Sequence, residues 1–183
     1  MNRRIGARRF GMDGERKRVA DVPTTHKMTL TRRFEVPVAD VWRAWTEPDL
    51  VRRWWGPAGF TAPLAEMDVV VGGRSLVCMQ APVGMGGFRH YNTWTYTLVH
   101  PHRHLEFVQH FTDEHGNPVE PSSVGMPDGT PFEVPHLLTF VDREGTTEFT
   151  VTEYGYTAPE VVELSRAGMT QCLDKLATVV GST

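Results

Sequence analysis

The sequence predicts an α+β fold in which a curved antiparallel sheet of about six to seven strands wraps one long C-terminal helix. Three observations carry this. Period-two alternation with closely spaced turn residues dominates the middle of the chain, from Leu64 to Tyr156. The final stretch, PEVVELSRAGMTQCLDKLATVV, keeps apolar residues at helical spacing for about six turns. Only two short helical patterns intervene, both directly after the first strand. Strands joined by tight turns pair antiparallel, and their apolar face needs a helix to cover it. The terminal helix is the one element long enough.

Taken in order, KMTLTRRFEVP places Leu30, Phe34 and Val36 on the apolar side of a strand that Pro37 ends. Arg32 falls between Leu30 and Phe34 and could pair with a carboxylate at the sheet edge. VADVWRAWT spaces Val38, Val41, Trp42 and Trp45 along one helical face. Pro48 opens a second short helix, PDLVRRWWG, since the first helical position has no use for its amide. Neighbouring Trp54 and Trp55 point about 100° apart, so Trp54 goes under the helix and Trp55 to a rim before Gly56-Pro57. LAEMDVVV then turns at Gly72-Gly73 into RSLVCMQAP. FRHYNTWTYTLVHP and RHLEFVQHF are long strands meeting at Pro101. Residues 112–133 hold four prolines and three glycines, an irregular excursion long enough to be functional or mobile. VPHLLTFVDREG and TTEFTVTEYGY form a hairpin at Glu144-Gly145. The last helix buries Val161, Leu164, Gly168, Met169 or Cys172, Leu173, Leu176 and Val180.

Bulk properties exclude several classes. The chain has 183 residues, is 40% hydrophobic and 22% charged, and carries a net charge of −3. That gives no basic field for nucleic acid, and no apolar run approaches the ~18 residues a membrane span needs. Residues 1–25 hold seven Lys/Arg and three Asp/Glu with little periodicity, which predicts a flexible basic tail before one domain over residues 26–183. No apolar segment follows the early arginines, so no secretory signal is expected. Cys78 and Cys172 read as small buried thiols in a reducing compartment. A cytoplasmic protein is expected. No phosphate-binding loop, zinc-protease motif or paired-cysteine motif occurs, and no cofactor is expected. His102, His104 and Glu106 have strand spacing suitable for zinc, but Leu105, Phe107 and Phe111 claim the opposite face as the buried one. No metal site is expected.

Several motifs resemble a known family. RRFEVPVADVW from Arg32 to Trp42 is followed by PDLVRRWWGP, then by Asp68 to Arg74 with its Gly-Gly-Arg. Pro101 to Phe107 and Gly168 to Leu176 complete the set. Together they resemble the START-like helix-grip superfamily, in the branch related to the C-terminal domain of the activator of Hsp90 ATPase. The likeness covers about residues 28–181 in the right order. It implies a helix-grip fold, and a scaffold used for ligand binding, cyclisation chemistry and chaperone contact alike. Two departures bear on any cavity: Met169 stands where the family often has tryptophan, and the 112–133 excursion is longer than usual.

Candidate site residues follow from strand faces. Phe88, His90, Asn92, Trp94, Tyr96 and Leu98 share the face with the larger rings and are expected inward. A buried imidazole and amide need partners, so His90 and Asn92 either bond to neighbours or line a pocket of the mostly apolar kind. His136 shares a face with Val134, Leu138 and Phe140 and reads as a lining residue. Glu153 follows Phe149 and Val151; it is either a perturbed acid or base, or a group bending into solvent at the mouth, and the second reading is favoured.

The first expectation is therefore the binding of a small hydrophobic molecule between sheet and terminal helix. Trp42, Trp54 and Trp55 would form floor and rim, with Trp94, Tyr96, Phe140 and Met169 as walls; His90 and Asn92 would orient a polar group, with His136 and Glu153 beside them. A chaperone-contacting or stress-response module is the alternative the resemblance implies, with a homodimer also open. A polyketide cyclase- or hydrolase-like enzyme using His90 or Glu153 is the third. Neither nucleic acid nor membrane is expected as a partner.

Overall fold

The alternating segment at the start becomes β1 (His26–Phe34), and Pro37 directs the chain into α1 (Val38–Thr46) and α2 (Pro48–Trp54) in a computed structural model that describes residues 26–181. The expected basic tail over residues 1–25 lies outside the described residues. Strands β2 (Thr61–Glu66), β3 (Arg74–Gln80), β4 (Arg89–His100), β5 (His104–Thr112), β6 (Val134–Arg143) and β7 (Thr146–Tyr156) precede α3 (Pro159–Val180). All seven strands form one antiparallel sheet in the order β1-β7-β6-β5-β4-β3-β2. The segment holding α1 and α2 therefore carries the chain from one sheet edge to the other. This is the expected α+β helix-grip architecture. No helix among the described residues is long and apolar enough to cross a membrane.

The turns show why the meander closes so tightly. Between β6 and β7, Glu144 and Gly145 both have positive φ, 57° and 92°. Two such residues make the type I′ turn whose twist matches paired strands. Between β4 and β5, Pro101 precedes His102 at φ 62°, and the Arg103 amide donates to the His100 carbonyl at 3.0 Å. Proline followed by a positive φ is the type II pattern.

Two bulges reset the strand faces. Tyr96 pairs with Phe107 but Leu98 pairs with Glu106, so Thr97 is an extra residue in β4. The inward face thus ends at Tyr96; Leu98 is exposed, against expectation, and Val99 packs on the core in its place. In β7, Lys27 pairs with Tyr154 and His26 with Tyr156, leaving Gly155 unpaired at φ 95°. Glycine meets that conformation without strain. The bulge turns Tyr156 to the same side as Glu153.

At one end of the wedge between sheet and α3, helices α1 and α2 supply a dense aromatic cluster. The Trp45 ring stacks on Phe149 at 5.4 Å and meets Trp54 edge-on at 4.6 Å. Trp54 is fully buried, and its Nε1 donates to the Ala44 carbonyl at 2.7 Å. Trp42 packs edge-on against Phe140 at 5.3 Å and His102 at 5.9 Å. Leu138, Leu173 and Leu176 complete this packed interior.

Candidate functional site

The other end of the wedge is not filled. Between the first half of α3 and the ends of β4 to β7 nearest it, a half-open hollow of about 340 Å³ remains. Strand register explains which side chains reach it. Asn92 pairs with Phe111, Phe107 with His136, and His136 with Glu153, so these residues lie in rows on the concave face. Helix α3 closes the opposite wall with Val161, Ser165, Gly168, Met169 and Cys172, spaced along one side. Trp55, Pro57 and Phe60 come from the connection after α2, Phe88 from the residue just before β4, and His90 from its start. The irregular excursion contributes too: Met126 and Thr130 lie on the wall. Its course includes a single-turn helix at Pro121–Val124.

Electrostatically the wall has one dominant feature. Glu153 is only 3% exposed, and His136 2%. His136 Nε2 lies 3.3 Å from Glu153 Oε1, while Tyr156 and Ser165 both donate their hydroxyls to Oε2. His136 Nδ1 lies 2.9 Å from the Val134 carbonyl, which can only accept, so Nδ1 carries a proton. The imidazole stacks on Phe107 at 4.6 Å with planes 14° apart. Burial alone would raise the Glu153 carboxyl, but the charge of His136 and the bonds from His136, Ser165 and Tyr156 outweigh it and hold it below the usual range. Burial, then the neighbouring carboxylate, raises Tyr156. Burial pushes the Cys172 thiol up to about 12, which removes it as a nucleophile at neutral pH. His90 is lowered by burial, with a bond to the Val124 backbone opposing, so it is neutral there.

Other polar atoms on this wall have no partner. Asn92 is fully buried and neither Oδ1 nor Nδ2 is hydrogen-bonded. Gln109 Oε1 and Trp55 Nε1 are likewise buried and unpaired. Most buried side-chain polar atoms have partners, and Asn92, Gln109 and Trp55, all lining this hollow, hold four that do not; Trp45 and Trp94 at the packed end each have an unpaired Nε1 as well.

The structure brings together Trp55, His90, Asn92, His136, Glu153 and Met169 at the hollow. It corrects the solvent reading of Glu153, because the bulge at Gly155 and the hydroxyl of Ser165 surround it with donors. Trp55 is buried at 4% exposure rather than standing on an open rim, since Trp54 and Trp94 both press on its ring. Trp42, Trp54, Trp94, Tyr96 and Phe140 do not line the hollow. Their rings belong to the packed end, where Tyr96 bonds its hydroxyl to Ser75 Oγ at 2.8 Å. Leu164 and Phe88 do line it, but from exposed positions at its mouth. Arg32 finds its carboxylate on α3, at Asp174, rather than along the sheet. His102 sits in the β4–β5 turn and His104 is exposed; among the described residues no cluster of three His, Cys, Asp or Glu could hold a metal ion. Among the residues not anticipated are Gln109, Tyr156 and Ser165. Gln109 alternates with Phe107 and Phe111, and Ser165 stands one helical turn from Val161 and Met169, so spacing signalled both. Tyr156 depends on the bulge.

A curved antiparallel sheet gripping one terminal helix defines a START-like helix-grip protein. Within that class the chain belongs to the family described as activator of Hsp90 ATPase homolog 1-like protein, which matches residues 35–181. Similar solved structures include a protein from Arthrobacter aurescens at 25% identity, covering 86% of this chain and 87% of that one with a TM-score of 0.70. A Mycobacterium smegmatis protein shares 23% identity over 85% of this chain and 88% of its own, with a TM-score of 0.66. An AHSA1-like protein from Aeromonas hydrophila shares 24% identity over 86% and 93%, with a TM-score of 0.62. These are likenesses of fold. No curated protein gives a significant sequence match.

Proposed function

We propose that this protein binds a small, predominantly apolar molecule in the hollow between β4–β7 and α3. The observation that carries this is Asn92: a fully buried amide with both polar atoms unpaired, on the wall of an otherwise largely apolar hollow. Leaving such atoms bare costs ~1–3 kcal/mol each, a cost that a bound polar group would remove. The volume, about 340 Å³, falls within the usual range for small-molecule sites. The catalytic reading through Glu153 has less support, because both of its oxygens are already engaged by His136, Tyr156 and Ser165. A general acid or base needs an atom free to meet the substrate. The chaperone-contact reading rests on family membership alone.

A neutral fluorescent probe, N-phenyl-1-naphthylamine, tests the reading. Its emission should rise saturably at one site per chain. Met169→Trp puts an indole into the hollow and should abolish the rise while the variant keeps a cooperative melt. An emission change that is unsaturable, or equal in the folded Met169→Trp variant, would overturn the proposal.

A further inference from the structure

We infer that the ligand is uncharged and presents an amide-like group, donor and acceptor side by side, to Asn92, with Gln109 and Trp55 completing its hydrogen bonds. This rests on the ligand-binding reading above and narrows it to a chemical class. The unpaired atoms define the complement. Asn92 Nδ2 and Trp55 Nε1 can only donate, whereas Asn92 Oδ1 and Gln109 Oε1 can only accept. Asn92 and Gln109 are diagonal neighbours on adjoining strands, since Asn92 pairs with Phe111 and Trp94 with Gln109. Both are therefore within reach of one small group. A primary carboxamide has the matching set: its carbonyl accepts from Asn92 Nδ2 and Trp55 Nε1, and its two N–H bonds donate to Asn92 Oδ1 and Gln109 Oε1.

Charge argues the same way. Among the described residues no lysine or arginine lines the hollow. Lys175, one turn along α3 from Cys172, directs its Nζ to the Gly56 and Phe60 carbonyls at 2.9 Å each. Among the described residues Glu153 is the one carboxylate on the wall, and His136, Tyr156 and Ser165 already engage both of its oxygens. A carboxylate ligand would enter a low-dielectric site with no countercharge and would leave Asn92 Oδ1 and Gln109 Oε1 without donors. An ammonium ligand would find acceptors but would strand the donors of Trp55 and Asn92.

Three nearly isosteric probes separate these cases: 2-naphthamide, 2-acetonaphthone and 2-naphthoate, titrated by calorimetry into the full-length protein at pH 7. The amide has donor and acceptor, the ketone an acceptor alone, and the naphthoate a negative charge. The ketone should bind at least about fivefold more weakly than the amide, and the naphthoate at least about a hundredfold more weakly. In Asn92→Leu the preference of amide over ketone should collapse towards unity, a ratio that does not depend on the variant's overall stability. Binding of ketone or naphthoate as tight as that of the amide to the wild type would overturn this inference and leave the ligand-binding reading standing. Binding of none of the three, together with no saturable response to N-phenyl-1-naphthylamine, would remove both.

Discussion

Glu153 shows what a single carboxylate requires when it is buried against a histidine. Desolvation disfavours its charge, and only the sum of His136, Tyr156 and Ser165 keeps it ionised. That sum is a stability term with a definite pH dependence. A carboxyl whose folded pKa is depressed below its ordinary value of 4.5 stabilises the fold above that value and ceases to as pH falls through the folded pKa. Glu153→Gln keeps the shape and removes the charge that the bonds from His136, Tyr156 and Ser165 are arranged around. Breaking one side of such a buried pair should cost about 3–5 kcal/mol near neutral pH. In urea denaturation the gap between wild type and variant should narrow below pH 4.5 as the wild type loses its advantage. A constant gap down to pH 3 would mean that Glu153 is held as the neutral acid. Alternation along β7 reveals which way this side chain points. It does not reveal that Ser165, on another element, will meet it.

Helix α3 does more than cover the sheet, because its outer turns hold the connection between α2 and β2. Lys175 donates to two carbonyls of that connection, and Gln171 Oε1 accepts from the Ala58 amide at 3.0 Å. Burial lowers the pKa of Lys175, the expected result for an ammonium surrounded by carbonyl dipoles rather than a carboxylate. Lys175→Met should leave those carbonyls unpaired, cost about 1–2 kcal/mol, and speed hydrogen exchange across residues 56–60. Unchanged exchange there would show that the connection holds itself. None of this pairing is legible in the sequence, where Lys175 looks like any solvent-facing residue of an amphipathic helix. The element order, the sheet and the gripping helix are legible, because each rests on a periodicity confined to its own segment. Bulges at Thr97 and Gly155 are not, since one inserted residue reverses every face beyond it; Gly155 inside a strand pattern is a hint, and Thr97 is none.

Across the whole molecule the wedge between sheet and α3 has two unlike ends, and strand faces do not distinguish them. Alternation sorts residues into inward and outward. It cannot say how far along the wedge an inward residue lies, and that depends on where α1 and α2 dock. Trp42, Trp94, Tyr96 and Phe140 are inward, as their periodicity requires, yet they sit where the helices have filled the space. Asn92, His136 and Glu153 are inward where they have not. The adjacent tryptophans 54 and 55 straddle the boundary, which makes them a direct test of it. Trp54 has Trp45 on one side, Trp55 on another and a hydrogen bond to the Ala44 carbonyl. Trp54→Ala should therefore cost about 3–5 kcal/mol in chemical denaturation. Trp55 packs against Trp54 and Trp94 but borders the hollow on its remaining face, with its Nε1 unpaired. Its truncation to alanine enlarges an existing space, so the cost should be about half as large. The same variant should weaken the saturable response to N-phenyl-1-naphthylamine, because the ring it removes is part of the wall. Equal destabilisation by the two substitutions would mean that the space beside Trp55 is packed in solution as tightly as the space around Trp54, and that a hollow does not persist there.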